Sequence, residues 1–191
     1  MPIKILIADD HAIVAEGLKH LVEAQSDLQV VGTVGDGRAA VRAAKETEPD
    51  VVLMDLSMPE LNGADAARAI IDERPECKVI VLSMYAEREY VRRALKAGAT
   101  GYVVKRSAAK ELVEAIRAVH AGQRYLSPRV ADVVIDDYAA DGKGFDPKTS
   151  KARGTRLGMT TMEERVTATG GMLQLESAPG KGTTLKAKAP F

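Results

Sequence analysis

The chain has 191 residues, of which 46% are hydrophobic and 28% charged, an ordinary balance for a globular protein with room for one sizeable domain and something smaller. Lys and Arg number 27 and so do Asp and Glu, which excludes a global basic field aimed at nucleic acid or an anionic membrane. The lone cysteine, Cys77, excludes an intrachain disulfide, and the opening MPIKILIADD is too short an apolar run for a signal-peptide core or a membrane span, so a cytoplasmic protein is expected.

In chain order, short apolar runs alternate with helical periods up to about residue 122. Ile3–Ala8 (IKILIA) reads as the first strand, and Ile13, Gly17, Leu18, Leu21 and Val22 then share one helical face. Leu28–Val34 is the second strand, followed by a helix facing inward through Ala40, Val41 and Ala44. Val51–Met54 runs directly into Asp55, and the chain then breaks at Pro59 and Asn62-Gly63 before a helix with Ala66, Ala67, Ile70 and Ile71 inside. Lys78–Leu82 and a helix carrying Val91, Ala94 and Leu95 come next. Gly101–Val104 precedes a last helix with Leu112, Val113, Ile116 and Val119, for which Ser107 is the expected N-cap. Gly98 and Gly122 stand where left-handed helix ends are usual. Runs this apolar suit strands buried on both faces, so the fold class is α/β: a (βα)5 doubly wound, parallel, five-stranded sheet over residues 1–122.

Residues 123–138 read as a linker. Pro128 is either the first residue of a short helix capped by Ser127, or Val133–Ile135 forms a strand. Residues 139–191 form a different, small α+β segment: a Gly-, Lys- and Asp-rich loop, a helical period from about Thr160 to Thr169, and two alternating runs, MLQLES and TTLKAKA, joined by the hairpin signal APGKG.

Ligand sites of open parallel sheets lie at the carboxyl ends of the strands. There the sequence delivers Asp9 and Asp10, Asp55, Ser83 and Lys105. Crowded carboxylates raise one another's pKa unless a cation sits among them, and all-oxygen donors suit Mg²⁺. Asp9, Asp10 and Asp55, with the backbone carbonyl of Ser57, are the expected ligands. A phosphoryl group joined to Asp55 would complete the shell, with Lys105 and the Ser83 hydroxyl on its other oxygens. Met54, Met58 and Met84 are expected to fill gaps in packing. His11 reads as a loop residue at a helix start, and His20 and His120 as helix-surface residues; none has metal-ligand spacing.

The motifs ADDH, MDLSMPELNG, LSMY and GATGYVVK, in this order, closely resemble the flavodoxin-like receiver domain of two-component response regulators, and LKAGATGYVVK with AIRAVHAGQRYLSP is most similar to the NarL/FixJ-type subfamily. The resemblance implies phosphorelay signal transduction: Asp55 accepts phosphate from a sensor histidine kinase, Asp9 and Asp10 bind Mg²⁺, and Ser83 and Lys105 contact the phosphoryl group. Ser83 and Tyr102 would act as the switch that alters the face formed by the fourth helix, fifth strand and fifth helix. It implies a phosphoacceptor rather than an enzyme, with at most slow self-dephosphorylation, and allows a homodimer. Alternatives are a phosphate-sink or kinase-binding receiver without output, and a NarL/FixJ-type transcriptional regulator lacking its DNA-binding domain; no recognition-helix pattern supports DNA binding.

The tail resembles the second half of a histidine-kinase ATPase domain. Asp141, Gly142 and Gly144 of DGKGFDP, and Gly154, Arg156 and Gly158 of GTRLGM, would be remnants of its glycine boxes. The first half of that fold is missing, and Arg156 replaces a glycine where backbone should approach phosphate. The tail is therefore expected to be inactive and not to bind ATP, and to pack on the receiver or self-associate.

Overall fold

The structure is a computed structural model that describes residues 1–131, 134, 172–178 and 182–188. The chain divides into two compact units, Met1–Val130 and Ala131–Phe191. In the first, β1 (Ile3–Ala8), β2 (Leu28–Val34), β3 (Val51–Asp55), β4 (Lys78–Ser83), β5 (Gly101–Val104) and β6 (Tyr125–Leu126) form one sheet in the order β2-β1-β3-β4-β5-β6. Every pairing in it is parallel. The connecting helices are α1 (Ala12–Glu23), α2 (Gly37–Thr47), α3 (Gly63–Glu73), α4 (Arg88–Lys96) and α5 (Ala108–His120).

Every residue of β3 and β5 is buried, which is why these strands are continuous apolar runs rather than alternating ones. Side chains alternate across the sheet and build two cores. Ile5, Ile7, Leu53 and Ile80 pack with Leu18 and Val22 of α1 and Leu112 and Ile116 of α5. Leu6, Val52, Met54 and Val79 pack with Ala40 and Ala44 of α2 and Ala66 and Ile70 of α3. Each fully buried Leu or Ile contributes roughly 1.5–3 kcal/mol. α4 is the least embedded helix, burying only Val91 and Ala94.

The helix starts follow local chemistry. Asp36 caps α2 by accepting from the Ala39 N–H at 2.7 Å, and Asn62 caps α3 by accepting from Asp65 N–H at 3.1 Å. Gly98 and Gly122 take the left-handed conformation, at φ +94° and +82°. Ser107 holds the expected N-cap position of α5 but makes no side-chain cap bond. A 3₁₀ turn, Lys105–Ser107, precedes α5, and the Ser107 hydroxyl donates back to the Val104 carbonyl at 3.0 Å instead of capping the helix.

The expected five strands become six. Tyr125 N–H donates to the Thr100 carbonyl at 3.1 Å and Ser127 N–H to the Tyr102 carbonyl at 2.9 Å, so β6 covers the outer edge of β5. A strand of two half-buried residues carries no periodic signal. Beyond it Ser127 is buried: its Oγ accepts from the Val104 N–H at 3.1 Å and donates to Glu111 Oε2 of α5 at 2.5 Å. A helical turn then starts at Pro128, with Val130 N–H on the Ser127 carbonyl at 2.8 Å.

In the second unit, β7 (Met172–Ala178) and β8 (Gly182–Lys188) form the expected antiparallel hairpin, with Leu175 opposite Leu185. The proposed nucleotide-site remnants, Asp141, Gly142, Gly144, Gly154, Arg156 and Gly158, lie outside the described residues. No described helix is long and apolar enough to cross a membrane.

Candidate functional site

Strand order reverses between β1 and β3, which lie side by side with β2 beyond one and β4 beyond the other. Ala8 pairs with Met54, so Asp9 and Asp55 emerge together at the carboxyl edge. Both carboxylates are only 3% exposed. Lys105, at the end of β5, reaches across β4 and sets its Nζ 2.7 Å from Asp9 Oδ2 and 3.1 Å from Asp55 Oδ2. One buried ammonium thus serves two buried carboxylates.

Burial is the largest influence on Asp55 and pushes its pKa above the ordinary carboxylate value; Lys105 opposes this, Asp9 adds to it, and the Ser57 backbone N–H opposes it by donating to the carboxylate. Neither Asp9 Oδ2 nor Asp55 Oδ2 accepts a well-directed hydrogen bond. Buried acceptors in that condition fit a cation better than further packing. Asp10 stands further out, and its Oδ1 lies 2.8 Å from His11 Nδ1. The same imidazole nitrogen is 3.4 Å from Asp9 Oδ1, and the His11 backbone N–H donates to that oxygen at 3.0 Å. Donor atoms of Asp9, Asp10, His11 and Asp55 all lie within 4.8 Å of one another. His11 is the loop residue at the start of α1 that the sequence suggested, and its ring nitrogen also joins this cluster, which its spacing in the sequence did not show.

The loop that follows Asp55 is shaped by glycine. A Cβ on Gly63 would sit 1.8 Å from the Asp55 carbonyl oxygen, and one on Gly37 would sit 2.0 Å from that of Leu61. Both violate any contact distance, so the loop can close onto β3 and α2 only with glycine there. Gly63 N–H donates to the Leu56 carbonyl at 3.1 Å, holding the loop shut. Asn62-Gly63 and Asp36-Gly37 are legible as turn signals, but the close approach of distant backbone is a tertiary fact.

Ser83, at the end of β4, accepts from the Tyr85 N–H at 3.1 Å, and the buried Tyr102 donates its hydroxyl to the Tyr85 carbonyl at 2.8 Å. Burial pushes the Tyr102 phenol up to about 12. The two residues expected to switch thus hold the same backbone unit from both sides. Tyr85 itself is half exposed, and its ring stacks on Tyr90 in the first turn of α4, with centroids 4.8 Å apart and planes 15° apart. Sequence reasoning passed over Tyr85, although it stands in the quoted LSMY. Met54 and Met58 are buried as expected, whereas Met84 is 56% exposed. His20 pairs with Glu16 on the surface of α1.

The family model described as "Response regulator receiver domain" matches residues 5–117. Among curated proteins, the chain is 40% identical over 136 residues to the transcriptional regulatory protein DegU of Brevibacillus brevis, covering 71% of this chain. It is 42% identical over 129 residues to the response regulator GacA of Pseudomonas aeruginosa, covering 68% of this chain. The matches span 58% and 60% of those relatives' own lengths. Among solved structures, it is similar to a LuxR-family two-component response regulator from an Aurantimonas species, at TM-score 0.69 and 36% identity, covering 72% of this chain and 98% of that one. The isolated receiver of RcsB from Salmonella enterica, solved with phosphomimetic BeF₃⁻, matches at TM-score 0.65 and 27% identity, covering 70% of this chain and 99% of its own.

Proposed function

The chain belongs to the family of two-component response regulator receivers, and from that premise we propose that Asp55 is its phosphoacceptor and that a sensor histidine kinase supplies the phosphoryl group. The observation that carries this reading is the buried ion triad of Asp55, Lys105 and Asp9, with Nζ 3.1 Å and 2.7 Å from the two carboxylates. A carboxylate held this firmly at a strand end, with an ammonium on its oxygen, is a nucleophile in place.

Asp9, Asp10 and Asp55, with the Ser57 carbonyl, would hold Mg²⁺, which supplies charge neutralisation for the phosphoryl oxygens. An Asp55 oxygen attacks phosphorus as the bond from phosphorus to the donor's leaving group breaks, leaving an acyl phosphate. The acyl phosphate carries a charge of about −1.5 to −2 where the carboxylate carried −1, and presents three acceptor oxygens in place of two. Lys105 turns its ammonium from the two carboxylates to one phosphoryl oxygen, and the Ser83 hydroxyl donates to another. Ser83 thereby gives up Tyr85, one of the two holds on the loop before α4. Helix α4 buries only two residues, so it is the element most easily rebiased between two arrangements. The protein acts as a switch, and turnover is limited to slow self-dephosphorylation. The similarity covers the receiver part of longer relatives, so a transcriptional output, suggested by the relative named as a transcriptional regulatory protein, stays a proposal for the rest of the molecule.

A small phosphodonor with Mg²⁺ should add one phosphoryl group to the protein, read by intact mass, and none to Asp55→Asn. Full labelling of that variant would reject the assignment. Lys105→Ala should retain the fold less well, because breaking a buried ion pair costs about 3–5 kcal/mol.

A further inference from the structure

We propose that the groove between α3 and α4 is a binding site for a phosphate-rich anion: a short chain of linked phosphates, free or carried on a nucleotide. The groove lies within the first unit and shares no residue with the cluster of Asp9, Asp10, Asp55, Ser83 and Lys105.

The first support is the concentration of charge. The chain as a whole is neutral, with 27 basic and 27 acidic residues. The groove is not. Arg68 of α3 and Arg88, Arg92, Arg93 and Lys96 of α4 line it, against the carboxylates of Asp65 and Glu89 only. Arg88, Arg92 and Lys96 recur at every fourth residue, so they form one row along α4, rising about 6 Å per step. Like charges in that relation destabilise a helix, and α4 buries only Val91 and Ala94 to offset it.

The second support is that these cations are available. Arg92 and Lys96 are exposed, and neither has an ion-pair partner among the described residues. Arg68 reaches Asp72, and Arg93 reaches Asp65, only at 3.8 Å, from side chains 73% and 56% exposed. Exposed pairs of that kind are weak and screened by salt. Both guanidiniums are therefore free to turn to a stronger acceptor placed between the helices.

The third support is the lining, which decides the chemistry of the ligand. The apolar part is Ala64 and Ala97, with no aromatic or large aliphatic side chain. A docked protein helix needs such anchors, so an acidic helix is poorly served here. Guanidiniums are planar forks that grip phosphate oxygens in pairs, and Arg supplies all the lining cations but Lys96. A phosphate chain packs several charges into a short length, and can lie along the α4 row while Arg68 closes on it from α3. The groove, about 700 Å³, has room for that chain with a nucleoside attached. A merely solvated basic face is the rival explanation. Such a face attracts anions by charge alone, whichever arginine or anion is present.

The test is titration calorimetry of the full chain with tripolyphosphate, ATP, adenosine and citrate, in a chelator that keeps divalent ions out. Parent protein is compared with Arg92→Gln, Arg68→Gln and Arg92→Lys, and with Arg42→Gln on the exposed face of α2 as the control for losing one surface charge. All these side chains are exposed, so the variants keep the fold. Tripolyphosphate and ATP should both bind the parent. Arg92→Gln and Arg68→Gln, on different helices, should each weaken both ligands about tenfold, the worth of a lost charge-assisted contact. Arg92→Lys should recover part of that loss, and Arg42→Gln should match the parent. Equal affinity for the two ligands assigns the site to the phosphate chain itself. An ATP affinity about tenfold higher, with the same losses in the variants, assigns it to a nucleotide. Citrate binding as tightly as tripolyphosphate, adenosine matching ATP, or an equal loss in Arg42→Gln overturns the proposal. So does binding that ignores Arg92→Gln and Arg68→Gln, or no tripolyphosphate binding at about 1 mM.

Discussion

Two glycines on helices carry opposite consequences. A Cβ on Gly17, within α1, meets nothing within 4 Å, whereas one on Gly63 meets the Asp55 carbonyl at 1.8 Å. Gly17→Ala should therefore stabilise the protein by about 0.5–1 kcal/mol, through helix propensity and reduced freedom of the unfolded chain. Gly63→Ala should destabilise it by about 3 kcal/mol, and should slow phosphodonor labelling by displacing Asp55. Urea denaturation of both variants checks the contrast. Asp55 offers a second test at this scale. Its carboxyl is raised above the ordinary value chiefly by burial, so the folded state holds the proton more tightly than the unfolded chain does. As pH rises through the carboxylate range, the unfolded chain ionises first and stability is lost, to a floor above the folded pKa. In the presence of a chelator, Asp55→Asn should therefore melt higher than the parent at about pH 7, and the gap should narrow by about pH 3–4. Lys105 keeps Asp9 as a partner at 2.7 Å in that variant, which is why removing the second carboxylate need not strand it.

Among the elements, the strands and the residues at their ends were the legible part. β1, β3, β4 and β5 are continuous apolar runs because both faces are covered, and the rule that sites gather at carboxyl ends then brings Asp9, Asp55, Ser83 and Lys105 together. What escaped depends on contacts between distant residues. β6 has two half-buried residues and exists because β5 leaves an edge to pair. His11 stands at the start of α1 as read, but its ring pairs with Asp10, and Ser107 holds the N-cap position of α5 while its hydroxyl turns back to the Val104 carbonyl. Ser127 was read as one option for a cap, yet its hydroxyl is a latch between β5 and α5. Removing that hydroxyl orphans the Val104 N–H in a buried setting, which costs about 1–3 kcal/mol. Ser127→Ala should be destabilised by that amount, with hydrogen exchange quickened at Val104, and Ser127→Thr should recover part of the loss. Unchanged exchange at Val104 would show the latch to be dispensable.

The molecule as a whole has one unit whose fold and site agree and a second whose described part is a hairpin. The latch sets where such a chain can be cut and rejoined. A seam placed at Gly122, the natural end of α5, strips β6 away. The Thr100 and Tyr102 carbonyls then face outward on an open edge, a template for pairing with another copy. A seam after Val130 carries the closing strand, the Ser127 latch and the buried Val130 along with the sheet. A chain ending at Gly122 should melt lower than one ending at Val130 by about 5 °C or more and should self-associate in gel filtration; equal melting of the two would place the seam at α5 after all. Any module joined at residue 131 then follows directly on the Ser127 latch and the buried Val130. If Asp55 is phosphorylated as proposed, a change at the carboxyl edge of β5 would be felt first at the Ser127 latch, through the bond it makes to the Val104 N–H.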